Sequence, residues 1–385
     1  VLRQQQTLLG ESGWSSTPVR LPAAAGEVTG LHLDPRGRFA YVQSEGKRLE
    51  LFDWQKQRLL GEYATGQSIT ASAQLNGGTS LLLGDAAGGV TQWFVVSGKD
   101  GMVQLKAIRR LQLADKPIVQ IAPEARRKGF AALDAAGNLG LFYSTSERRL
   151  LQVPLKAGSL LALSPRADRL LVEDGGALKL GRLHNPYPEL SFSALWQKVW
   201  YENYPEPRYI WQSSASSADF EPKLSLTPLT FGTLKAAFIA MLFAAPLAIA
   251  AAIYSACFMA PNQRRKVKPL IELMEALPTV ILGFFAALLL APYVEEHLPG
   301  LFALLLLLPL GTLAAAFAYR SLPARLHFAA GHESLLLMPW LVFLSWFALH
   351  FSPLLEAALF DGDMRLWLSA RGMGYEQRNA LIVGL

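Results

Sequence analysis

Between Val28 and Leu183 apolar and polar residues alternate in short runs, and the same arrangement comes round four times. The runs begin at Val28 (VTGLHLDPRGRFAYV, then LELFDW), Ile69 (ITASAQLNGGTSLLL, then VTQWF), Ile118 (IVQIAPEARRKGFAAL, then LGLFY) and Leu160 (LLALSPRADRLLV, then LKLGRL). Their starts lie 41, 49 and 42 residues apart. A period of two puts alternate side chains on opposite faces of a strand, so each unit reads as three short strands joined by turns. Turns such as DPRG (Asp34 to Gly37) and NGG (Asn76 to Gly78) combine the fixed φ of Pro with the positive φ open to Gly. A multi-stranded repeat of about 40 to 45 residues is the length of one β-propeller blade. One blade cannot bury both of its faces, so blades stack. Residues 1–185 are therefore expected to form an all-β, propeller-like soluble domain.

The pattern changes near residue 225, where the alternation gives way to long apolar blocks. Four uncharged stretches follow, Ala236 to Ala260, Ala276 to Val294, Gly300 to Tyr319 and Ser334 to Leu355, and a fifth begins near Leu381. Each of the four is close to the roughly 20 residues needed to cross about 30 Å of hydrocarbon. Residues 229–385 are thus expected to be an all-α, polytopic membrane domain. In its second stretch Pro278 and Gly283 interrupt the apolar run; such residues are tolerated where neighbouring helices re-satisfy and pack the backbone. Pro278, Thr279 and Gly283 are the candidates for a moving helix that faces a translocation path, the competing role being close helix packing.

Residues 186–228 join the two parts. LSFSALWQKVWYENYPEPRYIW (Leu190 to Trp211) holds three Trp and three Tyr. Trp196 and Trp200, four apart, would share one helix face. Aromatic side chains with polar tips favour the membrane interface, so this segment is expected to lie on lipid; the alternative is a helix packed under the β-domain. SSASSADF (Ser213 to Phe220) reads as a flexible linker.

Charge sets the direction of the spans. The net charge of +6 does not point to nucleic acid, because the basic excess sits in loops beside the apolar blocks. PNQRRKVKP (Pro261 to Pro269) carries Arg264, Arg265, Lys266 and Lys268 with no acid, and Tyr319 to Glu333 carries Arg320 and Arg325 against one Glu. The alternate loops, with Glu295 and Glu296 or balanced from Asp361 to Arg378, lack that excess. Lys and Arg excess marks the cytoplasmic side, which puts the β-domain outside, in the bacterial periplasm.

Chemistry-bearing residues are sparse. The lone Cys257 allows neither a disulfide nor a Cys-based metal site. His32 and His184 stand alone, without zinc-ligand spacing, and His350 at the end of the fourth stretch suits an interface better than a proton relay. No catalytic residue, cofactor or metal is expected, and ATP hydrolysis would belong to a separate subunit. The chain starts at Val1 and stops at Leu385 within a new apolar run, and it reads as an internal piece of a longer polypeptide.

Two resemblances attach to these residues. DPRGRFAYV and SPRADRLLV resemble the WD40-like or YVTN-like propellers, although WD dipeptides and GH pairs are absent; the four visible blades imply further ones before Val1. TFGTLKAAFIAMLFAAPLAIAAAIYSACFM followed by APNQRRKVKPLIELMEALPTVILGF resembles the permease subunit of bacterial phosphate ABC importers, the PstC type. The family's KPxIEL and P-S-V-V-Y-G-F elements appear here as Lys268, Pro269, Ile271, Glu272, Leu273 and Pro278 to Phe284, with Leu282 where many members have Tyr. Trp200 to Pro207 and Tyr375 to Gly384 resemble a longer branch with a large periplasmic insertion. The resemblance implies a subunit of the inner-membrane translocation path, paired with a second permease, a cytoplasmic ATPase dimer and a periplasmic phosphate-binding protein. The alternatives are a permease for another oxyanion, such as phosphonate or sulfate, and a membrane-anchored sensor or scaffold without transport.

Overall fold

Each of the four repeat starts opens a sheet. The computed structural model describes residues 2–6, 12–16, 26–98, 101–215, 220–275, 278–323 and 333–372, in two units, Val1–Leu229 and Thr230–Leu385. In the first unit a hairpin of β1 (Leu2–Gln6) and β2 (Ser12–Ser16) precedes the repeats. The first sheet runs β3 (Val28–Leu33), β4 (Phe39–Ser44), β5 (Arg48–Asp53), β6 (Arg58–Ala64). The second runs β7 (Ile69–Gln74), β8 (Ser80–Asp85), β9 (Gly89–Ser97), β10 (Val103–Gln112). The third runs β11 (Ile118–Pro123), β12 (Gly129–Asp134), β13 (Asn138–Tyr143), β14 (Arg148–Pro154). The fourth has β15 (Leu160–Leu163), β16 (Arg169–Asp174) and β17 (Ala177–Arg182). All pairings are antiparallel.

Three of the sheets thus have a fourth, outer strand beyond the three expected. In RLLGEYA of β6 and RRLLQVP of β14 the alternation is weak, because these edges bury few side chains. Successive sheets pack face on face. Phe39, Tyr41, Leu51, Leu83 and Trp93 form the interior between the first and second. Leu82, Val90, Ile118, Phe130 and Phe142 fill the next gap, and Leu133, Leu141, Leu161 and Val172 the last. Strands β4, β8 and β12 are buried along their whole length, as strands covered on both faces must be. Side chains also tie one sheet to the next. The Tyr63 hydroxyl accepts from Leu105 N at 3.0 Å, and the Gln120 amide both donates to Leu161 O and accepts from Leu161 N. The row is not closed into a propeller ring among the described residues.

The turn between second and third strands repeats one device. Asp85 Oδ1 accepts from Ala87 N and Gly89 N, and Asp134 Oδ1 accepts from Ala136 N and Asn138 N. Gly88 and Gly137 follow at φ 78° and 93°, where a side chain would be strained. An added Cβ would also stand 2.1 Å from Ala114 O or 2.4 Å from Leu155 O.

The aromatic join does not form the expected helix. Helix α1 (Phe192–Trp196) is capped by the Ser191 side chain and ends where Gln197 turns extended. Trp200 lies beyond it, its ring edge-on to Phe94 with centroids 6.3 Å apart. Tertiary contacts override the i,i+4 pattern: Val199 bridges to Arg208, and the pair β18 (Trp211–Gln212) and β19 (Lys223–Leu224) closes the loop. Half of the serine-rich stretch, residues 216–219, lies outside the described residues.

In the second unit the apolar blocks are helical. Helix α2 (Thr227–Ile253) continues through a π turn, Tyr254–Phe258. The basic segment expected as a loop is itself a helix, α3 (Pro261–Glu275). Arg, Lys, Gln, Leu and Glu are good helix formers, and Pro suits the first helical position. The second stretch runs as α4 (Thr279–Phe285), a π turn (Ala286–Leu290) and α5 (Ala291–Glu296). The third is α6 (Leu298–Ser321). The fourth is bent: α7 (Glu333–His350) ends at Phe351, and α8 (Ser352–Leu359) and α9 (Met364–Ala370) continue at 46°. Pro353, in the first turn of α8, lacks the N–H that would continue the helical ladder across this break, and its ring crowds the carbonyl four residues before it. Three of these helices are long and apolar enough to cross a membrane, or four if the bent pair counts as one. The fifth segment near Leu381, the Tyr375 to Gly384 motif and Arg325 lie outside the described residues.

Candidate functional site

Pro278 stands at the head of α4 in extended backbone (φ −65°, ψ 115°), and Ile281 N and Leu282 N donate to its carbonyl. Thr279 begins the helix, and Gly283 follows one turn on. A Cβ at Gly283 would meet nothing within 4 Å, so packing within the described residues does not demand a glycine there. Val280, Ile281, Leu282 and Phe284 are exposed around it. With the π turn and α5 that continue it to Glu296, this apolar segment is one of the helices long enough to cross a membrane.

Helix α3 carries the four expected cations. Arg264 donates to Ala256 O at 2.5 Å, closing the turn after α2. Arg265 donates to Asn262 Oδ1, and Lys268 stands 3.9 Å from Glu272 one turn on. Ser255, Met259, Arg264, Lys268, Ile271 and Glu272 line a shallow cavity of about 400 Å³. The first turn has no acid, and of the four cations only Arg264 falls within it, where the helix dipole makes a positive charge costly. An anionic surface would offset that cost.

Two glycines that sequence reasoning missed set the packing of α6. Gly311 lies against Leu344, whose Cδ1 would be 2.3 Å from an added Cβ, and Gly311 O accepts from the Trp340 indole at 2.9 Å. At Gly300 an added Cβ would stand 2.7 Å from Ala348 O, and the Gly300 N–H donates to Ser352 Oγ. Eleven residues apart, they share a face of α6, and small residues let apolar helices approach closely. Beside this contact an apolar groove of about 1190 Å³ is lined by Tyr254, Ala315, Tyr319, Trp340 and Phe343. At one end of the helices Arg365 of α9 pairs with Glu295 of α5 at 2.6 Å, which brings together the loops after the second and fourth stretches. His350 stacks on Trp346, centroids 4.9 Å apart.

In the first unit the loop from Val199 to Leu224 is keyed into the sheets by buried charge. Glu202 reaches between the second and third sheets, accepting from Lys128 Nζ and Ser80 Oγ, each at 2.6 Å. Lys128 also donates to Asn76 O, and Gln92 links Ser80 to Ser144. Arg109 donates to Trp200 O and Ser144 O. Glu221 is enclosed beside them: its Oε2 accepts from Glu202 N at 2.9 Å, while Oε1 has no donor. Burial, and then the nearby Glu202 carboxylate, push the Glu221 carboxyl up to about 7 against the pull of Arg109 and Lys128. Lys223 sits over the Phe220 ring at 4.7 Å, its ammonium held below its ordinary value by burial. No local sequence signal marks this network, whose partners lie up to 122 residues apart.

No protein-family model matches the chain. A stretch of 119 residues is 35% identical to the probable ABC transporter permease protein YqgH of Bacillus subtilis (strain 168). It covers 28% of this chain and 38% of that protein. Among solved structures, a chain of a mitotic checkpoint complex is similar at a TM-score of 0.34 with 16% identity, covering 43% of this chain and 52% of that one. The structure of U3-55K gives 0.31 and 9%, covering 43% and 54%; likenesses this low carry no functional information. The chain thus spans well under half the length of that permease, and three or four helices among its described residues are long and apolar enough to cross a membrane.

Proposed function

We propose that the chain is a permease subunit of an ATP-driven phosphate importer in a bacterial inner membrane. The observation that carries this reading is the partial identity to a probable ABC transporter permease, in a chain with three or four membrane-capable helices. The Lys268–Phe284 run, with its resemblance to phosphate permeases, supports the substrate class. Pro278, Thr279 and Gly283 are assigned to the translocation path because Pro278 and Gly283 interrupt the apolar run within the stretch that resembles those permeases. The cations of α3 face the cytoplasm and its anionic lipid, so the β-unit faces the periplasm. A second permease, a cytoplasmic ATPase dimer and a periplasmic phosphate-binding protein complete the assembly. Bond breaking occurs in the ATPase, and this subunit alternates its opening.

Uptake of labelled phosphate in cells lacking the full-length gene, and in cells with it restored, tests the reading. Loss and rescue are expected once redundant phosphate importers are removed. Unchanged uptake would pass the role to another oxyanion, phosphonate or sulfate, or to a membrane-anchored sensor or scaffold.

A further inference from the structure

The aromatic join splits into two populations. Tyr201 is buried, and Trp200 and Tyr204 are packed inward with it. Four others point out: Phe192 is 77% exposed, Trp196 39%, Tyr209 41% and Trp211 43%. Their placement is regular. Phe192 and Trp196, four apart on α1, share its outer face, while Ala194 on the inner face is buried. Tyr209 and Trp211, two apart in extended chain, share a side, while Ile210 between them packs inward.

The segments that carry these rings are bonded to the chain that leads into α2. Leu226 N donates to Leu195 O at 2.8 Å, and the Thr227 hydroxyl donates to Trp196 O. Ser225 N donates to Ile210 O, and Trp211 pairs with Leu224. The helix that starts there runs 32 residues with its π turn. At about 1.5 Å per residue it is about 48 Å long, against about 40–45 Å for a bilayer with its headgroups. Thr227 therefore falls at headgroup level when the helix spans, and the four rings fall there with it. Trp and Tyr concentrate at that depth, where an apolar ring and a polar tip are both solvated. Lys198, exposed and 5.7 Å from the Tyr209 ring, adds a cation suited to lipid phosphate.

We propose that Phe192, Trp196, Tyr209 and Trp211 form a lipid anchor that seats the β-unit in the headgroup layer of the bilayer α2 crosses. The anchor rests on the reading of α2 as a span. It holds the loop that carries Glu202 and Glu221, and so fixes the β-unit to the membrane by a contact separate from the span itself.

Depth-dependent quenching of bimane-labelled single-cysteine variants tests this in the full-length protein, reconstituted in phosphatidylethanolamine/phosphatidylglycerol vesicles with a nitroxide on the lipid headgroup or the acyl chain. Phe192→Cys and Trp211→Cys are made in a Cys257→Ser background, with exposed Lys56→Cys as the aqueous reference. A variant that keeps Cys257 as its one cysteine is the membrane reference. Headgroup nitroxide is expected to cause a loss of fluorescence at 192 and 211 that Lys56→Cys does not show. Quenching at Cys257 alone overturns the anchor and leaves the span standing. Quenching at none of the sites overturns both. Labels at 192 and 211 shielded from aqueous iodide yet untouched by lipid nitroxide would mean a protein partner covers the rings, and would overturn the proposal.

Discussion

Glu221 is the residue whose chemistry is most open to measurement. Its carboxyl lies above its ordinary value of 4.5, at about 7, because burial penalises the charged form. The neutral acid is therefore the form the folded β-unit favours, and its contribution is complete below about pH 4.5. It falls as pH rises toward about 7 and is flat above that. Thermal unfolding followed from about pH 5 to about pH 8 should show the wild-type chain losing more stability than Glu221→Gln over that window. Equal slopes would remove Glu221 as the cause. The neighbouring Lys128–Glu202 pair behaves differently, since both charges are enclosed and hydrogen-bonded. Lys128→Met leaves a buried carboxylate without its cation and should cost about 3–5 kcal/mol of stability, read as a lower denaturant midpoint. A double change that also replaces Glu202 by Leu should recover part of that loss.

Among the elements, helices α6 and α7 depend on two glycines. Gly311→Leu should separate them, because its side chain would begin 2.3 Å from Leu344 Cδ1 and both bulky side chains would have to fit the space one fills now. Overpacking of this kind costs about 1–3 kcal/mol, and a cysteine cross-link between α6 and α7 that forms in the wild type should form poorly in the variant. Gly283→Leu is the contrasting test. With open space around it, the change should leave helix content and stability unaltered and reduce phosphate uptake. Intact uptake would return Gly283 to a plain lipid-facing role. The repeats of the β-unit were legible at this scale, as Val28, Ile69, Ile118 and Leu160 each begin a sheet. The outer strands were not, because an edge strand buries too few side chains to impose a clear alternation. The basic segment from Pro261 was legible as charge but was read as a loop between spans, whereas Pro261–Glu275 is a helix.

For the molecule as a whole the reading predicts sidedness. A membrane-impermeant maleimide applied to cells with a permeabilised outer membrane should label Lys56→Cys and leave Arg265→Cys unlabelled until the inner membrane is opened. The reverse result would invert the topology and place the β-unit in the cytoplasm. The Arg365–Glu295 pair already joins the loops that an alternating path through the membrane puts on one side.

The sequence by itself determined the division into a β-rich part and an apolar helical part, the period of the repeats and the position of the basic segment. These depend on composition and on periodicities of two and of about 3.6, which local residues impose on their own chain. It also carried the likeness to permeases in Lys268–Phe284. Only the tertiary structure decided which aromatics of the join turn inward and which stay out. The same holds for the close-packed glycines Gly300 and Gly311, and for the buried Glu221 carboxylate, one of whose oxygens is left without a donor. Each of these depends on atoms brought together from distant parts of the chain, as when Ser80 and Lys128 meet Glu202. No local pattern encodes such a meeting; it follows from how the sheets and helices pack.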